Sequence, residues 1–216
     1  TRSVHKEVKH RGDLTETVIY YYCPDRFGTV IGKIRSAILY RKYLREAVRE
    51  HLEQQGLPRC VHVHWGMKAG MEAMRIKRKW GVPYFVTEHW TGFLPEATDN
   101  FSQLPPVIRN TWKRILYGSA GCIAVSETLA AALRKRFPGL PVSVIPNVVD
   151  TSVFYPRTAS VVPHRFIHIS GMDDFKDPAS LFKAFRAVLN TVPDAELHIY
   201  GTTSPQMKEL ADRTDI

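Results

Sequence analysis

Short runs of β-branched and aromatic residues alternate with helix-length amphipathic stretches along most of the chain. That alternation predicts parallel strands joined by crossover helices. After a polar start, TRSVHKEVKHRGD, the run TVIYYYC (17–23) reads as a strand and PDRFG as a turn. A long helix follows over 32–56, where Ile34, Ile38, Leu44, Val48 and Leu52 recur at helical spacing. CVHVHW, VPYFVTE, AGCIAVS and PVSVIP read as strands, separated by helices over 67–79, 106–118 and 126–139. The last of these helices carries punctuation at both ends: Ser126 to cap it, Glu127 at its start, and Arg134, Lys135 and Arg136 at its finish. Beyond an irregular stretch, HRFIHISG and AELHIYG read as strands around a helix that Asp177 and Pro178 open, with a last helix from about Pro205.

The pattern therefore predicts an α/β fold with a doubly wound, Rossmann-like parallel sheet. It divides into a first domain over 1–146, a hinge over 147–157, and the beginning of a second domain over 158–216. Two strands are too few for a sheet that stands alone, so the second domain is expected to be incomplete.

The chain has 216 residues, 44% hydrophobic and 24% charged, as expected for a folded globular protein. It shows neither a signal peptide's apolar core nor an apolar run of membrane-spanning length, and a cytoplasmic setting is expected. Cys23, Cys60 and Cys122 lie in apolar runs and are expected as buried free thiols. The formal charge of +9 calls for an anionic partner. Arg35, Lys42, Arg45 and Arg49 give the long helix a basic exterior, solvated or set against anionic lipid on the inner face of a membrane. Nucleic acid is not expected, because no exposed aromatics interleave with these charges.

Ligands of open α/β sheets collect at the carboxyl ends of the strands. In HVHWG, His62 and His64 share a strand face beside Trp65 and Gly66. An H-x-H pair could bind a metal, yet no Cys, Asp or Glu follows at a useful spacing, so cleft-lining or core packing is expected instead. In VPYFVTEHWTGF the strand runs into Glu88, His89 and Trp90, where a histidine can hydrogen-bond a substrate hydroxyl. The stretch from Leu94 to Pro106 reads as too polar for core, and Arg109, Lys113 and Arg114 beyond it could serve an anionic acceptor. In HISGMDDFKDPAS, Ser170 and Gly171 end a strand, and Lys176 precedes a helix start that suits a diphosphate.

Taken in order, HVHWG, VPYFVTEH, IAVSE, VIPNVVDTSVFYP, FIHISG with its following lysine, and AELHIYG resemble the central part of a family 4 retaining glycosyltransferase of GT-B architecture. The resemblance runs from about residue 17 to about 212. It implies a nucleotide-sugar donor held mainly by the second domain, a carbohydrate or lipid-linked acceptor against the first, retention of configuration, and no metal or other cofactor. It implies that His89 faces the donor sugar and that Lys176 contacts the donor diphosphate. Pro146, Asn147 and Asp150 are expected to form the hinge, with Phe154 and Pro156 anchoring its far side.

Met172 stands where the family often has an arginine, and neither the family's glycine-rich loop nor its paired-glutamate segment occurs in this sequence. An isolated chain of this extent is expected to be inactive. Two other readings remain at this stage: a non-catalytic binding or membrane-docking module on the same fold, and a sugar-nucleotide epimerase.

Overall fold

A computed structural model describes residues 4–23, 29–97, 99–156, 162–172 and 176–201. The chain divides into two compact units, Thr1–Val149 and Asp150–Ile216.

The first unit opens with an antiparallel hairpin of β1 (His5–Arg11) and β2 (Leu14–Tyr20), paired from His5↔Tyr20 to Arg11↔Leu14. Gly12 takes φ +58° in the two-residue connection, the backbone sign that tight hairpin turns require. The pattern put the first strand at the head of a parallel series. It is instead one arm of a hairpin whose partner, HKEVKHR, has a single aliphatic residue and so gives no alternating apolar signal.

Helix α1 (Val30–Gln55) starts at Thr29, whose Oγ1 accepts the Gly32 N–H, and ends at Gly56 with φ +77°. An ion pair from Lys6 to Glu50 ties it to the hairpin. Its sidedness differs from expectation. Gly32 and Ser36 are the buried positions of its first half, whereas Ile34 and Ile38 are 56% and 61% exposed. Helical spacing shows which residues share a stripe; the neighbouring elements decide which stripe is covered.

Strands β3 (Val61–His64), β4 (Tyr84–Glu88), β5 (Gly121–Ala124) and β6 (Val142–Val144) form a four-stranded parallel sheet in that order. Helices α2 (Gly66–Trp80), α3 (Pro106–Gly118) and α4 (Glu127–Arg136) make the crossovers. Val63, Val86, Cys122 and Val142 lie side by side on the sheet face that packs against Trp112, Ile115, Leu116, Leu129 and Leu133 of α3 and α4. Burying each such large side chain stabilises by about 1.5–3 kcal/mol. On the other face His62, His64 and Phe85 remain exposed. The connection after β4 is less polar in effect than its sequence suggests: Phe93 and Phe101, each in a short 3-10 turn, are buried and meet the Phe137 ring edge to face.

The second unit holds β7 (Arg165–Ile169) and β8 (Glu196–Tyr200), parallel and joined through α5 (Pro178–Leu189). Phe182 packs on Met172, Leu197 and Ile199. Asp177 accepts the Ser180 N–H and Pro178 occupies the first turn, as the sequence predicts. The helix expected from Pro205 lies outside the described residues. No disulfide joins the three cysteines; Cys122 is buried and Cys23 partly so, but Cys60 is exposed, because it precedes β3 and is not within it. Among the described residues, no helix is long and apolar enough to cross a membrane.

Candidate functional site

The carboxyl ends of β3 and β4 bring the first group of candidates together. Register pairs His64 with Thr87, and the next residues along, Trp65 and Glu88, follow on adjacent strands. His64 Nδ1 lies 3.2 Å from His89 Nε2, with the rings 5.5 Å apart and near parallel. One of these nitrogens donates and the other accepts, the tautomers setting which. His62 stacks behind His64 at 4.4 Å and bonds Thr87 Oγ1 at 2.7 Å. Burial, and then the neighbouring His64, push the His62 imidazole below its usual range. Thr87 escapes a reading by motif, though strand alternation places it on the histidine face.

Trp65 links β3 to α2 at φ 60°, ψ 91°, a region costly for a bulky side chain. Its ring is 61% exposed at the mouth of the site. In that conformation Trp65 supplies no side-chain cap to α2. Glu88 does so from the neighbouring strand: its Oε1 accepts the Gly66 N–H at 3.0 Å. A Cβ on Gly66 would come within 2.7 Å of that oxygen and 2.8 Å of Trp112, which is why the helix begins with glycine. Glu88 was expected to line the cleft. It is instead fully buried, with Oε2 unpartnered among the described residues, and burial pushes its carboxyl up to about 8 despite the Gly66 bond.

Trp90 is half-buried and stacks on Trp112 at 6.0 Å, so much of its ring serves the core. Arg109 sits in the first turns of α3, partly buried, and its side chain makes no hydrogen bond or ion pair among the described residues. Arg114 faces elsewhere, into a groove between helices.

In the second unit, Ser170 Oγ accepts the Met172 N–H at 3.0 Å and bonds His168 Nε2 at 2.7 Å, holding the strand end. Gly171 is exposed, and a Cβ there would meet nothing within 4 Å. Lys176 is exposed just ahead of α5, while Met172, at the position where a second cation was sought, is buried against Phe182. Residues 173–175 lie outside the described residues. Between the units, Pro146 and Asn147 lie in an exposed stretch without regular structure. Asp150 closes a turn: its carboxylate accepts from Ser152, which holds it below the usual range, and its carbonyl accepts the Phe154 N–H at 2.8 Å. Phe154 was expected to anchor this stretch but is 70% exposed. No group of three or more metal-ligating side chains gathers among the described residues.

A Rossmann-like parallel sheet with a histidine and aromatic cluster at its strand ends, followed by a second strand–helix–strand unit, defines an α/β protein of the GT-B kind. The profile of Glycosyltransferase Family 4 matches residues 7–153, more than half of the sequence, and the chain belongs to that family. Sucrose-phosphate synthase from Thermosynechococcus elongatus is similar in structure, with a TM-score of 0.65 and 18% identity over 79% of this chain and 46% of that one. A mutant of S. aureus TarM, solved with Fondaparinux, alpha-GlcNAc-glycerol and UDP, has a TM-score of 0.55 and 13% identity over 68% of this chain and 29% of that one. At these identities the likeness shows the fold, and this chain spans less than half the length of either protein. No curated protein matches the sequence.

Proposed function

We propose that the protein transfers a sugar from a nucleotide-sugar to a carbohydrate or lipid-linked acceptor, with retention of configuration and without a metal ion. The observation that carries this reading is the family match across the residues that bring His64, Trp65 and His89 to one sheet end. In the proposed reaction His89 Nδ1, which has no protein partner among the described residues, faces the donor sugar. His64 holds the opposite ring nitrogen, and Trp65 offers a sugar-sized aromatic face to the acceptor. Lys176, beside the α5 N-terminus, stabilises the diphosphate leaving group as the glycosidic bond breaks. Glu88 acts from beneath, by fixing the start of α2.

The setting is proposed to be the inner face of a membrane. Ile31, Ile34 and Ile38 are exposed on the same helix as Lys42, Arg45 and Arg49, the combination that binds an anionic bilayer surface.

The test is to incubate the full-length protein with nucleotide-sugars and candidate acceptors, following nucleoside diphosphate release and the anomeric configuration of the product by NMR. His89→Ala is expected to lower kcat by about 100-fold or more, near 2.7 kcal/mol of transition-state stabilisation. Donor consumption without transfer to any acceptor, or an inverted product, counts against this reading. Absence of nucleotide binding sinks it in favour of a non-catalytic module.

A further inference from the structure

We propose that the groove between α1, α2 and α3 binds a ligand carrying several phosphate charges, at the opposite end of the parallel sheet from His64 and His89. The groove encloses about 570 Å³ and is lined by Arg41 and Arg45 of α1, Arg75, Lys77 and Arg78 of α2, and Arg114 of α3. Tyr84, the first residue of β4, and Gly118, the last of α3, also line it. Because the strands are parallel, this places the groove at their amino ends, whereas His64 and Glu88 end β3 and β4. It is thus separate from the glycosyl-transfer site proposed above and does not depend on that reading.

No carboxylate is among the lining residues. Glu72, buried beneath, already pairs with Arg45 at 3.1 Å and Arg75 at 2.5 Å. Lys77 Nζ donates to the Gly118 carbonyl at 2.8 Å. Arg41, Arg78 and Arg114 make no ion pair among the described residues. Complementing a helix dipole accounts for Lys77 and Arg78, which lie in the last turn of α2. It does not account for Arg41 and Arg45 in the middle of α1, or for Arg114 in the second half of α3. Guanidinium groups converging from three helices repel one another until an anion joins them, and their planar forks match phosphate oxygens two at a time. Met71, Met74 and Tyr84 give the groove an apolar floor that limits the water screening those charges. The ligand could be a soluble oligophosphate or a phosphate-bearing lipid headgroup; both supply the same chemistry.

The two sources separate by experiment. Inorganic tripolyphosphate is titrated into the full-length protein by calorimetry, and co-sedimentation is measured with phosphatidylglycerol and with phosphatidylcholine vesicles. Saturable tripolyphosphate binding without vesicle binding identifies a soluble ligand; selective sedimentation with phosphatidylglycerol identifies a headgroup. In either case Arg41→Gln/Arg78→Gln/Arg114→Gln is expected to weaken binding at least tenfold, with an unchanged or higher Tm. Arg59→Gln/Lys135→Gln/Lys183→Gln, which removes the same charge elsewhere, is expected to leave it within about twofold. If the groove variant does not fold, the three single changes take its place, each expected to flatten the dependence of log K on log salt. The proposal is overturned if neither probe binds, if both triple variants weaken binding equally, or if Lys176→Ala rather than the groove changes abolishes it.

Discussion

Glu88 and Trp65 meet at the start of α2, and each makes a measurable claim. Burial raises the Glu88 carboxyl from 4.5 to about 8 in the folded protein. The folded state therefore keeps a proton that the unfolded chain releases between those values, so stability is full at low pH and falls as pH rises through that window. Glu88→Gln retains an oxygen for the Gly66 N–H and removes the titration. Thermal melts from pH 5 to pH 9 are expected to show a marked fall in Tm for the native sequence and a flatter profile for the variant; equal slopes would overturn the assignment. Trp65 is strained at φ 60°. Trp65→Gly is expected to raise stability by about 1 kcal/mol in urea denaturation while raising the acceptor KM, separating a residue kept for its surface from one kept for the fold. HVHWG and VTEHW were legible as the carboxyl ends of two strands, which is where the structure brings them side by side. The inward turn of Glu88 was not legible, since a carboxylate at a strand end has the same letter whether it faces solvent or a neighbouring helix.

The elements divide by how local their causes are. The start of helix α4 was readable to within a residue, and its end to within three, because its signals lie within the element: Ser126 Oγ accepts the Leu129 N–H at 3.2 Å, and three cations occupy its last turn. Ser126→Ala is accordingly expected to cost about 1 kcal/mol by chemical denaturation, with no change in fold by circular dichroism. Helix α5 follows the same logic through Asp177 and Pro178. Strand β1 and the covered face of α1 depend on partners outside the element itself. A polar strand such as HKEVKHR exists because Leu14–Tyr20 pairs with it, and Ile34 and Ile38 are exposed because no described element packs over them. Phe93 and Phe101 belong with these: the loop that carries them looks polar on average, while two aromatic rings decide its packing.

For the whole molecule, the division between Val149 and Asp150 falls in an exposed stretch whose one turn is closed by Asp150. Brief chymotrypsin digestion is expected to cut first after Phe154, giving a fragment that retains the melting transition of the parallel-sheet unit; mass spectrometry showing an earlier cut within α1–α4 would contradict this. The alternation of apolar runs and amphipathic helices was enough to determine an α/β chain with parallel strands beyond the opening hairpin, the order of its strands and helices from β3 to β8, and the strand ends where His64 and His89 would lie. Those properties follow from periodicity and capping, which act over a few residues. Only the tertiary structure decided that His64 and His89 share a hydrogen bond, that Glu88 caps α2 from inside the core, and that arginines from three helices converge on one groove. Each depends on residues more than twenty positions apart meeting in space, and the distance between such residues is set by packing rather than by any pattern along the chain.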